Sequence, residues 1–105
     1  MKKIINGYRY DTDKSVLIGE YRASGSVTDF QYWEAGLYRT PRKAYYFLAG
    51  NGGPMTRYSR PVGTNSWTGG ERIDPLTRAE AFEWAELYLD AETVENEFSD
   101  MVVEA

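Results

Sequence analysis

The pattern of apolar and polar residues changes character near position 75, from the alternation of strands to the spacing of helices. Val16 to Arg22 and Ala44 to Ala49 are short runs with β-branched and aromatic residues, whereas apolar residues after Thr77 recur every three or four positions. Strands followed by helices are typical of an α+β domain. The sequence therefore predicts an antiparallel sheet of four to five strands, followed by two C-terminal helices that pack on it.

An N-terminal hairpin is the strongest local prediction. The segment Lys3 to Asp11 contains Asn6-Gly7, and this dipeptide favours the tight turn of a two-residue hairpin because both positions tolerate positive φ. Further strands are expected at 16–22, 30–40, 44–49 and 71–74. The second and third of these should pair across a turn at 40–43.

Residues 50–70 form the longest region without a clear strand pattern. Glycine, proline, serine, threonine and asparagine dominate it, and Tyr58 and Trp67 are its only large aromatic residues. The composition predicts a long loop. A stretch of this length in a small domain is usually functional, or it contains a strand that the pattern does not reveal.

Two helices are predicted after position 75. Thr77 and Glu80 have the spacing of a capping box, and Asp90 is a suitable N-cap for a second helix from about Ala91. The apolar end of the chain, residues 101–103, is expected to dock on the domain. The predicted apolar stripes are Ala81, Phe82, Ala85, Tyr88 and Leu89 in the first helix, and Val94, Phe98, Met101 and Val102 in the second.

Composition restricts both the size of the domain and its chemistry. The 105 residues suffice for one core, so we predict a single domain over 1–105, mainly β over 1–74 and helical over 75–105. Cysteine and histidine are absent, which excludes disulfides, thiolate nucleophiles and histidine bases, and removes the usual transition-metal ligands. No segment has the length and apolarity of a signal peptide or a membrane span. We therefore expect a cytoplasmic protein that needs no cofactor or metal and is not an enzyme.

Charge is unevenly distributed along the chain. Residues 1–74 contain eleven lysines and arginines and seven acidic residues, whereas residues 75–105 contain one arginine and nine acidic residues. Opposite fields of this kind either orient a partner during encounter or pair with each other inside the fold.

Aromatic and basic residues alternate in the first 74 positions. Stacking rings beside cations are what a surface for single-stranded nucleic acid needs. In a strand, however, simple alternation sends one ring into the core and the neighbouring cation to solvent, and the acidic net charge favours this second interpretation. The pairs are Tyr8-Arg9-Tyr10, Tyr21-Arg22, Tyr38-Arg39, Arg42-Lys43 before Tyr45-Tyr46, and Arg57-Tyr58.

The acidic part of the chain has a comparable ambiguity. Glu80, Glu83 and Glu86 recur at one-turn spacing, so their side chains lie about 5 to 6 Å apart along a helix. That separation is on the order of the distance between neighbouring phosphates, which would allow the helix to imitate a nucleic-acid strand. The common alternative is a solvated helix face.

Short motifs are spread over nearly the whole chain. They are Lys3 to Asp13, Leu37 to Thr40, Tyr46 to Leu48, Gly52-Gly53, Trp67 to Gly70, Pro75 to Thr77, Glu80-Ala81 and Trp84 to Glu86. Together they resemble small accessory proteins carried by phages and conjugative elements of Gram-positive bacteria, a group that includes anti-CRISPR inhibitors. The resemblance assigns no role to individual residues.

The resemblance implies a non-enzymatic anti-CRISPR inhibitor that binds a bacterial CRISPR effector in the bacterial cytoplasm. Such effectors hold nucleic acid in grooves lined with lysine and arginine, so an acidic helical face would act there as a DNA mimic. On this hypothesis the contacts are made by Glu80, Glu83, Glu86, Glu92, Glu95 and Glu97, with Tyr58 and Trp67 as anchors in the long loop.

Two other functions stay open at this stage. The alternating tyrosines and arginines also suit a nucleic-acid-binding accessory protein that uses a face of the sheet. A small carboxylate-dependent nuclease would need converging acids, such as Glu20 and Glu34 on neighbouring strands, and the sequence does not bring them together. The identity of the effector, the step that is blocked and the oligomeric state do not follow from the sequence.

Overall fold

The structure is a computed structural model that describes residues 1–23, 31–42, 45–63 and 66–105. It confirms the predicted α+β class, with strands first and two helices at the C-terminus. The elements are β1 (Lys2–Ile5), β2 (Tyr8–Asp11), β3 (Val16–Arg22), β4 (Trp33–Arg39), β5 (Tyr46–Gly52), β6 (Arg60–Pro61), β7 (Trp67–Thr68), β8 (Gly70–Leu76), α1 (Arg78–Tyr88), α2 (Ala91–Glu97) and a 3₁₀ turn (Ser99–Met101).

A four-stranded antiparallel sheet forms the centre of the molecule, in the order β3-β4-β5-β8. Its register pairs Leu37 with Leu48, and Ala49 with Ile73. Strand β8 lies at one edge and contains Pro75, opposite Phe47. Because proline cannot donate a hydrogen bond, an edge strand is where a sheet accommodates it.

The N-terminal hairpin forms as predicted, but it adds a layer and does not extend the sheet. Asn6 and Gly7 have φ angles of 52° and 83°, which are the positive values that a tight two-residue hairpin turn requires. Strands β1 and β2 pair only with each other among the described strands. Tyr10 of β2 packs with Phe47 and Ile73, so the hairpin covers one face of the sheet and builds a small core there.

The two helices cover the opposite face. Both ends of the predicted capping box are present, since Glu80 N donates to Thr77 Oγ1 (3.1 Å) and Thr77 N donates to Glu80 Oε1 (2.8 Å). Asp90 caps α2 as predicted, accepting from the backbone N–H of Thr93. The helices bury a larger core, which includes Leu37, Tyr46, Leu48, Trp84, Val94 and Phe98. The molecule is therefore layered as hairpin, sheet and helices.

Several local predictions differ from the structure. The second helix ends at Glu97, so Phe98, Met101 and Val102 of its predicted apolar stripe lie beyond it. The predicted loop at 50–70 is partly strand, because β5 continues to Gly52 and the short strands β6 and β7 pair with each other. The last strand is longer than 71–74 and reaches Leu76. The chain end does not dock, since only Met101 packs on the core while Val102 and Val103 are exposed. Phe30, Lys43 and Ala44, predicted in strand or turn, lie outside the described residues.

Candidate functional site

The outward sides of α1 and α2 carry exposed carboxylates. Glu83 and Glu86 of α1, and Glu92 and Glu95 of α2, are exposed and take part in no ion pair or hydrogen bond with any described side chain. We call these four residues the acidic helical surface. Both helices are fixed at their N-termini by side-chain caps, so the surface is held on two ordered elements.

Glu80 and Glu97 differ from the other four predicted glutamates because each already has partners inside the fold. Hydrogen bonds from the backbone and side chain of Thr77 lower the pKa of Glu80, which completes the cap of α1. Glu97 accepts from the Tyr46 hydroxyl (2.8 Å), and Arg39 Nε lies 3.4 Å from its Oε2 at ion-pair distance, without the alignment of a hydrogen bond. The predicted six-residue face is therefore reduced to four free charges.

Leu87 is an apolar residue within this acidic surface that the sequence pattern did not single out. Its side chain is 75% exposed, the second highest value among the exposed large apolar side chains of the described residues. It follows Glu83 by one helical turn and directly follows Glu86. The available signal was its position outside the apolar stripe of α1, because a leucine on the polar side of an amphipathic helix has no core to enter.

Tyr58 is buried and does not serve as an exposed loop anchor in this structure. Only 4% of its surface is exposed, and it belongs to the core beneath the helices. The guanidinium groups of Arg57 and Arg72 lie 5.6 and 5.5 Å from its ring centre. Its hydroxyl approaches Gly50 so closely that a Cβ there would collide with it. Tyr58 thus packs the residues around it, between β5 and β6, against the sheet.

Trp67, in contrast, is available for contact. It lies on β7 opposite Pro61 of β6 and is 60% exposed. Val62 and Met55, in the same part of the chain, are also exposed apolar residues. The structure therefore separates the two predicted anchors, placing Tyr58 in the core and Trp67 at the surface.

Only some of the alternating tyrosines enter the cores. Tyr10 and Tyr46 are buried, as strand alternation predicts. Tyr8 and Tyr45 remain exposed, and the fold brings them together from β2 and from the residue before β5, with ring centres 5.1 Å apart and ring planes at 86°. We call this pair the tyrosine ridge.

Among the described residues, the carboxylates that a nuclease would need do not converge on a metal site. Glu34 accepts hydrogen bonds from the Tyr32 hydroxyl (2.6 Å) and the Asn51 amide (3.3 Å), and lies 3.4 Å from Arg22 Nε. These partners, chiefly Tyr32, hold the pKa of Glu34 below its ordinary value. Within the described ranges, no group of three or more acidic residues is arranged to hold a metal ion.

Comparison with known proteins found no match: no family model matches this chain, and neither does any curated protein or solved structure. In the part of the chain that the structure describes, no helix is long and apolar enough to cross a membrane.

Proposed function

We propose that this chain is a non-enzymatic inhibitor whose acidic helical surface occupies a basic, nucleic-acid-binding groove of a bacterial CRISPR effector. The observation that carries the proposal is the set of four exposed glutamates, on two capped helices, that lack partners among the described residues. The choice of effector class follows the resemblance to accessory proteins of mobile elements. We place the protein in the bacterial cytoplasm and assign it no cofactor.

Electrostatic complementarity supports this mode of binding. A groove that holds a nucleic-acid duplex is lined by cations, and a rigid array of carboxylates compensates them without the reorganisation that a flexible acidic tail would need. Because Glu83 and Glu86 are not neutralised by described neighbours, their field reaches a partner before contact. Such charges act mainly on the association rate.

Apolar contacts supply the second part of the proposed interface. Binding free energy usually concentrates in a few apolar or aromatic side chains, surrounded by polar residues that exclude water. Leu87 lies on α1 one turn after Glu83 and directly after Glu86, and Trp67 is exposed on the β6-β7 ribbon. Leu87 is therefore the proposed central contact of the acidic surface, with Trp67 as a contact at a second place on the molecule.

A pull-down with nuclease treatment first identifies a CRISPR effector that binds the chain. The test then measures the rate at which the chain associates with that guide-loaded effector at low salt. Glu83→Lys with Glu86→Lys is expected to lower the association rate at least about 10-fold and to relieve inhibition of target cleavage. The matched control is Glu20→Lys with Glu71→Lys, two exposed acids outside the helices that give the same change in net charge. It should change the rate less than about 2-fold.

Two results would contradict the proposal. Equal slowing by both double variants would show that only total charge matters. Absence of any nuclease-resistant complex across the effector panel would remove the proposed class of partner.

Leu87→Ala separates the two components of the interface, since it should raise the dissociation rate and leave the association rate nearly unchanged.

A further inference from the structure

The hairpin side of the molecule carries a second surface of opposite character. The tyrosine ridge separates two grooves of about 540 Å³ each, and both rings line both grooves. Arg9, Lys14 and Arg42 line the first groove. We infer that this side binds single-stranded nucleic acid, with phosphates held by these three cations and bases stacked on Tyr8 and Tyr45. The inference is independent of the acidic helical surface.

The cations of the first groove are free to bind an anion. Among the described residues, Arg9, Lys14 and Arg42 form no ion pair, and all three are exposed. The acidic residue that lines the same groove, Asp11, is buried and accepts a hydrogen bond from the backbone N–H of Asp13 (3.0 Å). The groove therefore presents an excess of unpaired positive charge, which is the requirement for holding a phosphate backbone.

The second groove has the composition that a base requires. Ile5, Pro75 and Leu76 provide apolar walls, while Asn6 and Thr77 provide polar groups at its edge. A base that stacks on the ridge from this side keeps its apolar faces against rings and aliphatic carbon, and its polar edge near hydrogen-bonding groups. In the proposed complex, the phosphate of a nucleotide lies in the first groove and its base lies in the second, on the other side of the tyrosine ridge.

The geometry favours a single strand over a duplex. In a duplex the faces of the bases are hidden in the stack, so exposed tyrosines could contact only the backbone, whereas an unpaired base can stack on a ring. The first groove, which holds the proposed phosphate contacts, is lined by the hairpin and the residues between β4 and β5, while the exposed carboxylates of α1 and α2 lie on the helix side. The sheet therefore separates the bound anion from the acidic helical surface.

The structure also relocates the Tyr/Arg surface that the sequence suggested. The hypothesis from the sequence placed it on a face of the sheet, but the hairpin packs on one face and the helices pack on the other, and these layers bury Tyr10 and Tyr46. The rings that stay exposed beside unpaired cations belong to β2 and to Tyr45, which directly precedes β5. The proposed site is correspondingly small, a few nucleotides long.

Fluorescence anisotropy with labelled 12-nucleotide single-stranded DNA, single-stranded RNA and the matched duplex tests the inference on the full chain. At 50 mM salt the single strands should bind more tightly than the duplex. Three phosphate contacts predict a slope of about −2 for the logarithm of affinity against the logarithm of salt concentration. Tyr45→Ala should weaken binding at least about 5-fold, because it removes one stacking partner.

A matched pair of charge reversals tests whether nucleic-acid binding depends on the cations of the first groove or only on the net charge of the chain. Arg42→Glu in the groove should weaken binding strongly, whereas Arg60→Glu, an exposed arginine on β6 with the same change in net charge, should alter it less than about 2-fold. Thermal unfolding of each variant checks that the fold is intact. The inference is overturned if the single strands do not bind at 50 mM salt, if the duplex binds as tightly as they do, or if both reversals have equal effects.

Discussion

Tyr46 and Tyr58 both place a phenol hydroxyl in the interior, but their hydroxyls have different surroundings. The Tyr46 hydroxyl donates to Glu97 Oε2 at 2.8 Å, while the Tyr58 hydroxyl has no hydrogen-bond partner among the described residues. Burial raises the pKa of both tyrosines. A buried hydroxyl without a partner loses its hydration and gains nothing in return, so the same substitution should have opposite effects at these two positions.

Tyr58→Phe is expected to leave the free energy of unfolding unchanged or to raise it by up to about 1 kcal/mol, because it removes a desolvated polar group. Tyr46→Phe should lower it by about 1 kcal/mol or more, since Glu97 loses a donor. Urea unfolding followed by tryptophan fluorescence measures both values. A loss at Tyr58 as large as that at Tyr46 would show that the Tyr58 hydroxyl does have a partner in solution.

Glu34 provides a prediction about pH. The hydrogen bond from Tyr32 is the largest cause of its lowered pKa, so the unfolded chain binds a proton at this residue more readily than the folded one. The resulting stabilisation is complete above the ordinary glutamate pKa of about 4.3 and is lost as pH falls through the lower pKa of the folded state. Tyr32→Phe should move the Glu34 titration midpoint upward in carboxyl NMR, and Tyr46→Phe, which is remote from Glu34, should not.

At the scale of elements, the N-terminal hairpin is a structural layer whose contact with the sheet changes along β2. Tyr10 faces the sheet and packs edge-on against Phe47 with ring centres 5.4 Å apart, whereas Tyr8 of the same strand is exposed. Tyr10→Ala is therefore expected to lower the free energy of unfolding by about 3 kcal/mol, in the range found for buried aromatic residues.

Tyr8→Ala is the matched control for that substitution, and it should cost less than about 1 kcal/mol. Chemical denaturation of both variants and of the unmodified chain measures the two losses in the free energy of unfolding. Equal losses would mean that the hairpin does not pack on the sheet through Tyr10. The same control shows that Tyr8 can be substituted in binding experiments without unfolding the protein.

The elements that could be predicted from the sequence are those whose signals are local. Asn6-Gly7 determines a turn through its own backbone preferences, and Thr77 with Glu80 closes a cap within one helical turn. Strand β3 was predicted with its observed limits, 16–22. Each of these depends on residues close together in the chain, so one sequence is sufficient to identify them.

The features that could not be predicted depend on contacts between distant segments. Whether Tyr58 points inward or outward depends on Gly50, which leaves room for the ring because it has no side chain. Likewise, the pairing of Tyr8 with Tyr45 arises only when the hairpin folds over the sheet. For the candidate site, the sequence therefore identified the types of residue involved. It did not show that Tyr58 is buried and unavailable to a partner, or that Glu80 and Glu97 are already hydrogen-bonded within the fold.

At the scale of the whole molecule, the charge asymmetry of the sequence becomes an asymmetry between layers. The hairpin and its following turn contain Lys2, Lys3, Arg9 and Lys14 against Asp11 and Asp13, while the helix layer contains a single arginine, Arg78. Arg78 is itself paired with Asp100 through two hydrogen bonds. The cations of the proposed nucleic-acid site and the acidic helical surface therefore lie on different elements, and the two proposals together predict that one chain binds a basic protein and a nucleic acid without competition.

This layered charge predicts that the position of a charge matters more than its amount for binding to a positively charged surface. Glu83→Lys with Glu86→Lys, and Glu20→Lys with Glu71→Lys, both bring the formal net charge from −4 to zero. On an anion-exchange column at pH 7 the first variant should elute at a clearly lower salt concentration, because it destroys the patch that faces the matrix, while the second keeps that patch and is retained longer. Coincident elution would mean that the column responds to total charge, and that the four glutamates do not act together as one surface.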